Sequence, residues 1–388
     1  MEAKENPFLL ELTENQIMIR DTVRDFAEKN IRPVVMEYDE SQKFPAEIMK
    51  QLGKLGFLGV IFPEEYGGAG LGYTEFVIVI EELAKVDPSV ALSVAAHNGL
   101  GTNHLFRFGN EEQRKKYVPD LASGRKIGAW GLTESASGSD AAGLQSTAEK
   151  KDGYYILNGG KTFTTHGTVG ETAVVMAITD KQKGKKGISA FILEKGMEGF
   201  IAGKKENKLG MRASDTTQLI FDNCKVPQEN LLGKEGEGFI QAMQILEGGR
   251  ISIAALSIGL AQGALNAVLK YGNERKQFGK PLNEFQATQF KLAEMHTNIE
   301  AARMMTYRAA YMKDKGIAEN KKEAAMAKLF ASEIAEKASS EAVQIFGGYG
   351  FIKDYPVEKF YRDVKLLTIG EGTSEIQRIV IARELLKD

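Results

Sequence analysis

Residues 251–269 read ISIAALSIGLAQGALNAVL, a stretch that contains no charged side chain and has nearly the length that a lipid bilayer requires. Two structures suit such a stretch: a helix that spans a membrane and a helix buried inside a bundle of other helices. The stretch contains Ser252, Ser257, Gln262 and Asn266, and amphipathic helical patterns follow it along the chain. These features favour the buried helix, and therefore a bundle built around it.

The patterns on either side of this stretch define the rest of the predicted bundle. The helix that contains this stretch is predicted over residues 239–276 and is stopped by Gly279 and Pro281 just beyond. Further helices are predicted over 283–315, over 321–346 and from Glu375. Gly347 and Gly348 stop the third of these helices. The C-terminal part of the chain is therefore predicted to be a four-helix bundle.

The N-terminal half contains two different periodicities. From Glu14 to about Leu121, apolar residues recur at helical spacing, whereas from about Arg125 to Pro227 they alternate with a period of two. The second pattern predicts a small antiparallel sheet, with Asn158-Gly159 as one of its hairpin turns. The predicted fold class is α+β, mainly α. It comprises an N-terminal helical domain (1–124), a middle antiparallel β-barrel-like domain (125–238) and a C-terminal helical bundle domain (239–388).

Composition excludes several classes of function. At 388 residues the chain is long enough for two or three domains, and its net charge of −2 is spread along the sequence, so no basic surface for nucleic acid or anionic lipid is expected. The single cysteine, Cys224, excludes an intrachain disulfide and a thiolate metal cluster, which is typical of a reducing compartment. The acidic start, with Glu2, Glu5 and Glu11, lacks a signal sequence, and we expect a cytoplasmic protein.

Several familiar motifs are absent. Gly160-Lys161-Thr162 resembles the end of a phosphate-binding loop, but no glycine stands five residues before Gly160. The glycines of residues 67–72 lack the dinucleotide-binding spacing, and the four histidines are scattered without metal-ligand spacing. The sequence therefore predicts no metal site.

Two polar segments rich in glycine remain as candidate sites. In TIGEGTSEIQ, residues 368–377, Glu371 lies between two glycines just before a helical pattern, with Ser374 and Gln377 as a capping box. The segment suits either a solvated turn or an anion-binding helix start. The other segment is WGLTESASGSD, residues 130–140, which combines hydroxyl side chains, accessible glycine backbone and the aromatic ring of Trp130. It suits either a loop between domains or a site that binds a heterocycle and a phosphate group.

The order of such segments resembles the acyl-CoA dehydrogenase family, in particular its short- and medium-chain, butyryl-CoA dehydrogenase-like branch. The resemblance runs from about residue 10 to the C-terminus and depends on eight motifs in order. They are PEEYGG, GLTESASGSD, TFTT, LEGGR, NERKQFGKPL, QIFGGYGF, YPVEKFYRD and IGEGTSEIQR. It implies the fold described above, with FAD bound between the middle domain, the bundle and a neighbouring subunit.

The resemblance also implies which residues contact FAD. Residues around Trp130 are expected along the flavin, with Leu132 and Thr133 at its pyrimidine edge and Ser139 at the pyrophosphate. Phe163, Thr164 and Thr165 are expected behind the ring system, with Thr165 near the nitrogen that accepts hydride. Other residues are expected to contact the adenine half of an FAD that is bound mainly by a partner subunit: Arg275, Gln277, Phe278, Gln286, Gln344, Gly347 and Gly348. Thr373 and Glu375 are expected at the phosphates of FAD.

The implied reaction is α,β-dehydrogenation of a short- to medium-chain acyl-CoA to the trans-2-enoyl-CoA. Glu371 matches the family's catalytic base, and hydride leaves the β-carbon for the flavin. Ser139, Glu247, Arg250 and Gly372 are the expected substrate contacts. The family implies electron-transferring flavoprotein as the electron acceptor and a homotetramer, a dimer of dimers, as the assembly.

Departures from the family pattern leave the substrate open. In some members the base is the residue just before the arginine of LEGGR, but here that residue is Gly249. Ser135, Phe163 and Glu247 replace a common proline, tryptophan and aspartate, and Gly370 replaces a frequent tyrosine beside the base. A branched, cyclic or dicarboxylic acyl-CoA as substrate, a flavin-dependent oxidase, and a CoA-ester binding protein without catalysis are the alternatives.

Overall fold

The protein, represented by a computed structural model, is described over residues 11–317 and 320–387. It begins with helices, continues with strands and ends with helices. The first group of helices comprises α1 (Glu14–Phe26), α2 (Val35–Ser41), α3 (Ala46–Lys54), α4 (Tyr73–Ala84), α5 (Pro88–Ala96), α6 (Asn103–Phe108) and α7 (Glu111–Ala122).

The middle of the chain forms one sheet. Its strands are β1 (Gly128–Gly131), β2 (Thr147–Lys150), β3 (Tyr154–Thr165), β4 (Thr172–Ile178), β5 (Ile188–Glu194), β6 (Phe200–Lys205), β7 (Thr216–Pro227) and β8 (Leu231–Leu232). They lie in the order β6-β7-β3-β2-β4-β5-β8, with β1 beside β4. Most neighbouring strands are antiparallel, as predicted, but β4 pairs in parallel with both β1 and β2.

The predicted hairpin at Asn158-Gly159 is wrong, because both residues lie inside the continuous strand β3. The register against β7 shifts between Leu157 and Gly159, so the glycine marks a β-bulge. Gly159 has φ 126°, and a Cβ there would lie 2.6 Å from the Ser146 hydroxyl. An Asn-Gly pair therefore indicated an irregular backbone correctly, but not its type.

The final group of elements contains the bundle. It comprises α8 (Gly238–Glu274), the short strands β9 (Lys276–Gln277) and β10 (Lys280–Pro281), α9 (Gln286–Asp314), α10 (Asn320–Phe346), α11 (Val357–Asp363) and α12 (Ser374–Leu385). The four predicted helices are present. α8 ends two residues earlier than predicted, because Phe278 and Gly279, both with positive φ, form a tight turn between β9 and β10.

α8 lies at the centre of the molecule. By length and composition it is the one helix in the described residues that could cross a membrane, yet 83% of its apolar window is buried inside the protein. Its buried face packs against α4 and α5 as well as against α9 and α10. The first and last groups of helices therefore share one hydrophobic core.

A buried charge cluster ties the three segments together. The Nζ of Lys359 in α11 donates to Asp87 Oδ1 at 2.8 Å, just before α5, and to Asp363 Oδ2 at 2.6 Å. The other carboxylate oxygen of Asp363 accepts the backbone N–H of Met211, which follows the β6 strand in sequence. All three ionic side chains are buried, so each depends on the others for compensation.

We expect Lys359→Met to lower the free energy of unfolding by about 3–5 kcal/mol, because it leaves two buried carboxylates without their cation. Urea denaturation followed by circular dichroism measures the change. Lys353→Met is the matched control, since Lys353 pairs with Glu40 at the surface and its loss should cost at most about 1 kcal/mol. Equal effects of the two substitutions would contradict the role of the cluster.

Candidate active site

The turn before α12 holds Glu371 in an uncommon backbone conformation. Glu371 has φ 52° and Gly372 has φ 96°, both in the left-handed region that favours glycine. Thr373 is the N-cap of α12, with its side chain accepting the N–H of Ile376. The predicted capping box of Ser374 and Gln377 is therefore wrong by one residue, because Thr373 takes the cap position.

Gln377 has a different role. Its buried Nε2 donates to the carbonyl oxygens of Glu371 at 3.3 Å and of Gly372 at 2.8 Å. A Cβ at position 372 would lie 2.7 Å from the same nitrogen. The amide of Gln377 thus holds the turn from the first turns of α12, and glycine at 372 provides the space for it.

The carboxyl group of Glu371 has the burial and the pKa that proton transfer requires. Its Oε2 is buried and has no hydrogen-bond partner. Burial raises the pKa of Glu371 to about 7, although the positive charges of Lys328 and Arg250 oppose that rise. A carboxyl group with such a pKa can exist in both protonation states near neutral pH, which is the condition for general acid–base catalysis.

Glu371 reaches this place because α8 has no side chain beside it. A Cβ at Gly249 would lie 1.8 Å from Glu371 Oε2, and a Cβ at Gly248 would lie 2.4 Å from the hydroxyl of Tyr73. The two glycines leave helix backbone uncovered where a carboxylate and a phenol approach it. Position 249 thus lies directly against the carboxyl group of Glu371.

Arg250 follows these glycines and supplies an unpaired cation. It is only 5% exposed, and its Nε and Nη1 have no hydrogen-bond partner. Burial lowers the pKa of Arg250, while Glu247 and Glu371 act in the opposite direction. Because a buried guanidinium with open donors is costly, the group is suited to bind oxygen acceptors of a ligand.

A second cluster of predicted residues lies on β1, on β3 and in the loop that joins β1 to β2. Leu132 is buried and Thr133 half-buried, and the Thr133 carbonyl accepts the N–H of Thr162 at 2.8 Å. Trp130 donates its indole N–H to His104 Nδ1 at 2.9 Å. Ser139 is exposed. The structure thus brings the start of this loop against β3.

The end of β3 presents the sequence TFTT through a second bulge. The register against β7 shifts between Lys161 and Thr164, and Phe163 in between has φ 55° and a side chain that is 67% exposed. The hydroxyls of Thr162 and Thr164 are buried without a partner, and Thr165 is half-buried at the strand end. Unused hydroxyls beside an exposed ring offer hydrogen bonds and a flat apolar face to a ligand.

A buried ion pair supports this loop. Lys161 Nζ donates to Glu134 Oε1 at 2.5 Å, and the same carboxylate accepts the backbone N–H of Gln145 at 2.5 Å and of Ser146 at 3.1 Å. Both charged side chains are buried. One carboxylate therefore fixes both ends of the loop to β3.

A third cluster surrounds a cavity of about 500 Å³ beside the β9–β10 turn. Arg275, Gln277, Gly347 and Gly348 line it together with Tyr349, whose ring lies 5.3 Å from the Arg275 guanidinium. Arg275 caps the end of α8 rather than lying inside its last turn. Other predicted residues are exposed but outside this lining: Phe278, Gln286, Gln344 and Glu375.

Sequence reasoning missed Lys328, Gln377 and the Lys161–Glu134 pair. A signal for Lys328 was present, since it shares the apolar face of α10 with Ala324, Ala327 and Ala331. Gln377 was assigned to a cap, and Lys161 was considered only as part of a phosphate-binding loop. Each of these side chains acts across a distance in sequence that periodicity does not reveal.

Three family models match successive parts of the chain. The N-terminal domain of acyl-CoA dehydrogenases matches residues 13–125, the middle domain residues 129–224, and the C-terminal domain residues 236–386. Together these matches cover all three structural segments.

Individual proteins are similar along their whole length. A short-chain specific acyl-CoA dehydrogenase from Clostridium acetobutylicum is 47% identical over 97% of this chain and 99% of its own. The solved butyryl-CoA dehydrogenase of Megasphaera elsdenii is 45% identical, with a TM-score of 0.96 over 98% of this chain and 100% of that one. A chain from structural work on the electron transferring flavoprotein of Acidaminococcus fermentans is 49% identical, with a TM-score of 0.97 and the same coverage.

We expect Lys161→Met to loosen the loop between β1 and β2, because it leaves Glu134 buried without its cation, a loss of about 3–5 kcal/mol. Hydrogen–deuterium exchange should then be faster for the amides of Gln145 and Ser146. Lys151→Met is the control, since Lys151 pairs with Glu149 at the surface of the same domain. Unchanged exchange in the Lys161 variant would show that the pair does not hold the loop.

Proposed function

The chain belongs to the acyl-CoA dehydrogenase family, and from this premise we propose that it oxidises a short- to medium-chain acyl-CoA to the trans-2-enoyl-CoA. The observation that carries the proposal is the carboxyl group of Glu371, whose free, buried Oε2 lies against Gly249 next to the unpaired guanidinium of Arg250. The names of the similar short-chain and butyryl-CoA enzymes support an acyl group of this size.

FAD, on which the family depends, supplies the hydride acceptor for the β-hydrogen of the substrate. The residues present here fit a flavin. The unpartnered hydroxyls of Thr162 and Thr164 are available to its polar groups, and the exposed ring of Phe163 is available to its flat face. We assign Trp130, Leu132, Thr133, Ser139 and residues 163–165 to this half of the cofactor.

The rest of FAD is assigned to the cavity beside the β9–β10 turn and to the start of α12. Arg275, Gln277, Gly347 and Gly348 line a space of about 500 Å³ that remains open in a single chain. We propose that they, with Phe278, Gln286 and Gln344, serve FAD bound mainly by a partner subunit in a homotetramer. Thr373 and Glu375 lie at a helix N-terminus, where phosphate groups are favoured.

Glu371 acts as the base. Its ionised carboxylate accepts the proton from the α-carbon, and its raised pKa makes it a stronger base for this weakly acidic C–H group. The carbonyl oxygens of Glu371 and Gly372 are held by Gln377, so the amide N–H groups of the turn can face the thioester carbonyl and stabilise the charge that develops there. Arg250, with Glu247 and Ser139, binds the CoA portion.

The electron acceptor is proposed from a similar protein, and the location from composition. One similar chain comes from work on an electron transferring flavoprotein, and we propose that such a flavoprotein reoxidises this enzyme. A cytoplasmic location is part of the proposal, because the single cysteine, Cys224, suits a reducing compartment.

Gly370 is the residue on which the choice of acyl group depends. A Cβ at this position would lie 3.3–3.4 Å from Leu366, in ordinary to tight contact, so the turn itself does not exclude a side chain there. The absence of one beside Glu371 leaves room for a branched or cyclic acyl group. A substrate of that shape is therefore the alternative to a straight chain.

The holoenzyme should lose its flavin absorbance, without oxygen present, when mixed with a straight-chain acyl-CoA of about four to eight carbons. We expect Glu371→Gln to bind FAD and acyl-CoA but to bleach at least about a thousandfold more slowly, because the amide cannot accept the α-proton. Stopped-flow absorbance with a panel that includes branched acyl-CoAs gives both rates and substrate choice. Bleaching of the variant at the wild-type rate would refute Glu371 as the base.

We expect Gly249→Ala to reduce the bleaching rate by about a hundredfold, because its methyl group displaces the Glu371 carboxylate from its place against α8. Alanine has a higher helix propensity than glycine, so the substitution should not destabilise the backbone of α8 or lower the unfolding midpoint for that reason. Asn266→Ala, on an exposed part of the same helix, is the control and should bleach normally. Full activity of the Gly249 variant would contradict the requirement that the Glu371 carboxylate lie against the backbone of α8.

A further inference from the structure

Lys328 is a buried cation behind the turn that carries Glu371. It is 0% exposed on α10, and its Nζ donates to the carbonyl oxygen of Gly372 at 2.8 Å. Within the described chain it forms no ion pair with a carboxylate. A buried ammonium group with one neutral acceptor is costly, so some interaction must compensate for its burial.

The charges that face Lys328 come from three other elements as well as from its own helix. Glu371 and Glu375 belong to the turn and to α12, Glu333 to α10, and Arg250 to α8. The pKa of Lys328 is lowered to about 8, mainly by burial and also by the positive charge of Arg250, while Glu371 opposes the shift. Around Glu371, the positive charges are those of Lys328 and Arg250, and the phenol of Tyr73 is the other titratable neighbour.

The turn needs such support. Glu371 holds φ 52°, a conformation that costs a residue with a side chain about 1 kcal/mol or more. The Gly372 carbonyl accepts from both Lys328 and Gln377, at 2.8 Å each. With its oxygen held from two sides, the peptide between Gly372 and Thr373 cannot rotate. Gln377 also holds the carbonyl of the preceding peptide, so the turn keeps the carboxyl group of Glu371 directed toward Gly249.

We propose that Lys328 is a positioning residue for proton abstraction: it holds the turn that carries Glu371 through the Gly372 carbonyl and favours the ionised form of the Glu371 carboxylate through its charge. This inference rests on the proposed function, in which Glu371 is the base. It adds a residue from α10 to the catalytic apparatus.

The sign of the pH effect follows from the charges. Loss of the positive charge raises the pKa of Glu371, so at acidic pH a smaller fraction of the enzyme carries the carboxylate that acts as the base. An opposite charge nearby shifts a carboxyl pKa by about 1–3 units, and even one unit lowers kcat/KM about tenfold at pH 6. At about pH 9 the part of the difference that comes from charge disappears, because Lys328 itself has lost its proton in the wild-type enzyme and Glu371 is ionised in both. Any difference in rate that remains there reports the hydrogen bond to the Gly372 carbonyl.

The test is the pH profile of kcat/KM for butyryl-CoA, measured on the FAD-loaded holoenzyme. We expect Lys328→Met and Lys328→Gln to move the acidic limb upward by about one unit, while Lys328→Arg leaves it in place. The Gln variant retains a donor for the Gly372 carbonyl, so its rate at pH 9 should exceed that of the Met variant. Lys337→Met, an exposed position on the same helix that pairs with Glu294, should match the wild type throughout.

The inference would be overturned if the acidic limb of the kcat/KM profile lay at the same pH in both uncharged variants as in the wild type, whatever their unfolding midpoints. If only the Gln variant folds with FAD, its profile alone decides the question. Failure of this inference is distinguishable from failure of the proposed function: the former leaves Glu371→Gln inactive, whereas an active Glu371→Gln enzyme would refute the function itself.

Discussion

The carboxyl group of Glu371 against the uncovered backbone of α8 is the contact on which the rest of the site depends. A carboxylate oxygen can approach a helix this closely only where Gly249 provides no Cβ. The contact also requires α8 to be buried around Gly249, because a less buried helix would admit water and remove the desolvation of the carboxyl group. The shared core of the first and last helices and the charge cluster around Lys359 maintain that packing.

Opposing electrostatic effects then set the reactivity of this group. Burial favours the neutral acid, whereas Lys328 and Arg250 favour the carboxylate, and the pKa of Glu371 settles at about 7. Burial without the two cations would leave the base protonated at neutral pH, and exposure would leave it ionised but weak. The positive charges are therefore as important to the proposed chemistry as the apolar surroundings.

Most of the architecture could be predicted from the sequence, because helical and strand periodicities are local properties. The change of period near Arg125 and the return of helices near Phe239 agree with the first strand at Gly128 and with α8 at Gly238. Errors arose where two local signals compete. Asn158-Gly159 fits a hairpin as well as a bulge, and the pairing with β7 decides between them. Thr373 and Ser374 both suit a helix cap, and only the backbone shows which one takes that position.

The candidate site was predictable only in part. Motif resemblance identified Glu371, Arg250 and the loop after Trp130, but not the contacts between them, because Gly249 and Glu371 are brought together by tertiary packing. Lys328 illustrates the limit best. Its place on the apolar face of α10 was visible in the spacing, yet its acceptor, the Gly372 carbonyl, is backbone and carries no side-chain signal.

Exchange of the substrate's α-hydrogen with solvent tests the central claim most directly, because it reports proton abstraction without hydride transfer. The holoenzyme would be incubated in D₂O with a 3-thia-acyl-CoA, which has an acidic α-carbon but does not complete the oxidation, and the α-carbon followed by proton NMR. The account predicts deuterium incorporation by the wild-type enzyme with an acidic limb near pH 7, and none above background with Glu371→Gln. Undiminished exchange in that variant would show that another group removes the proton.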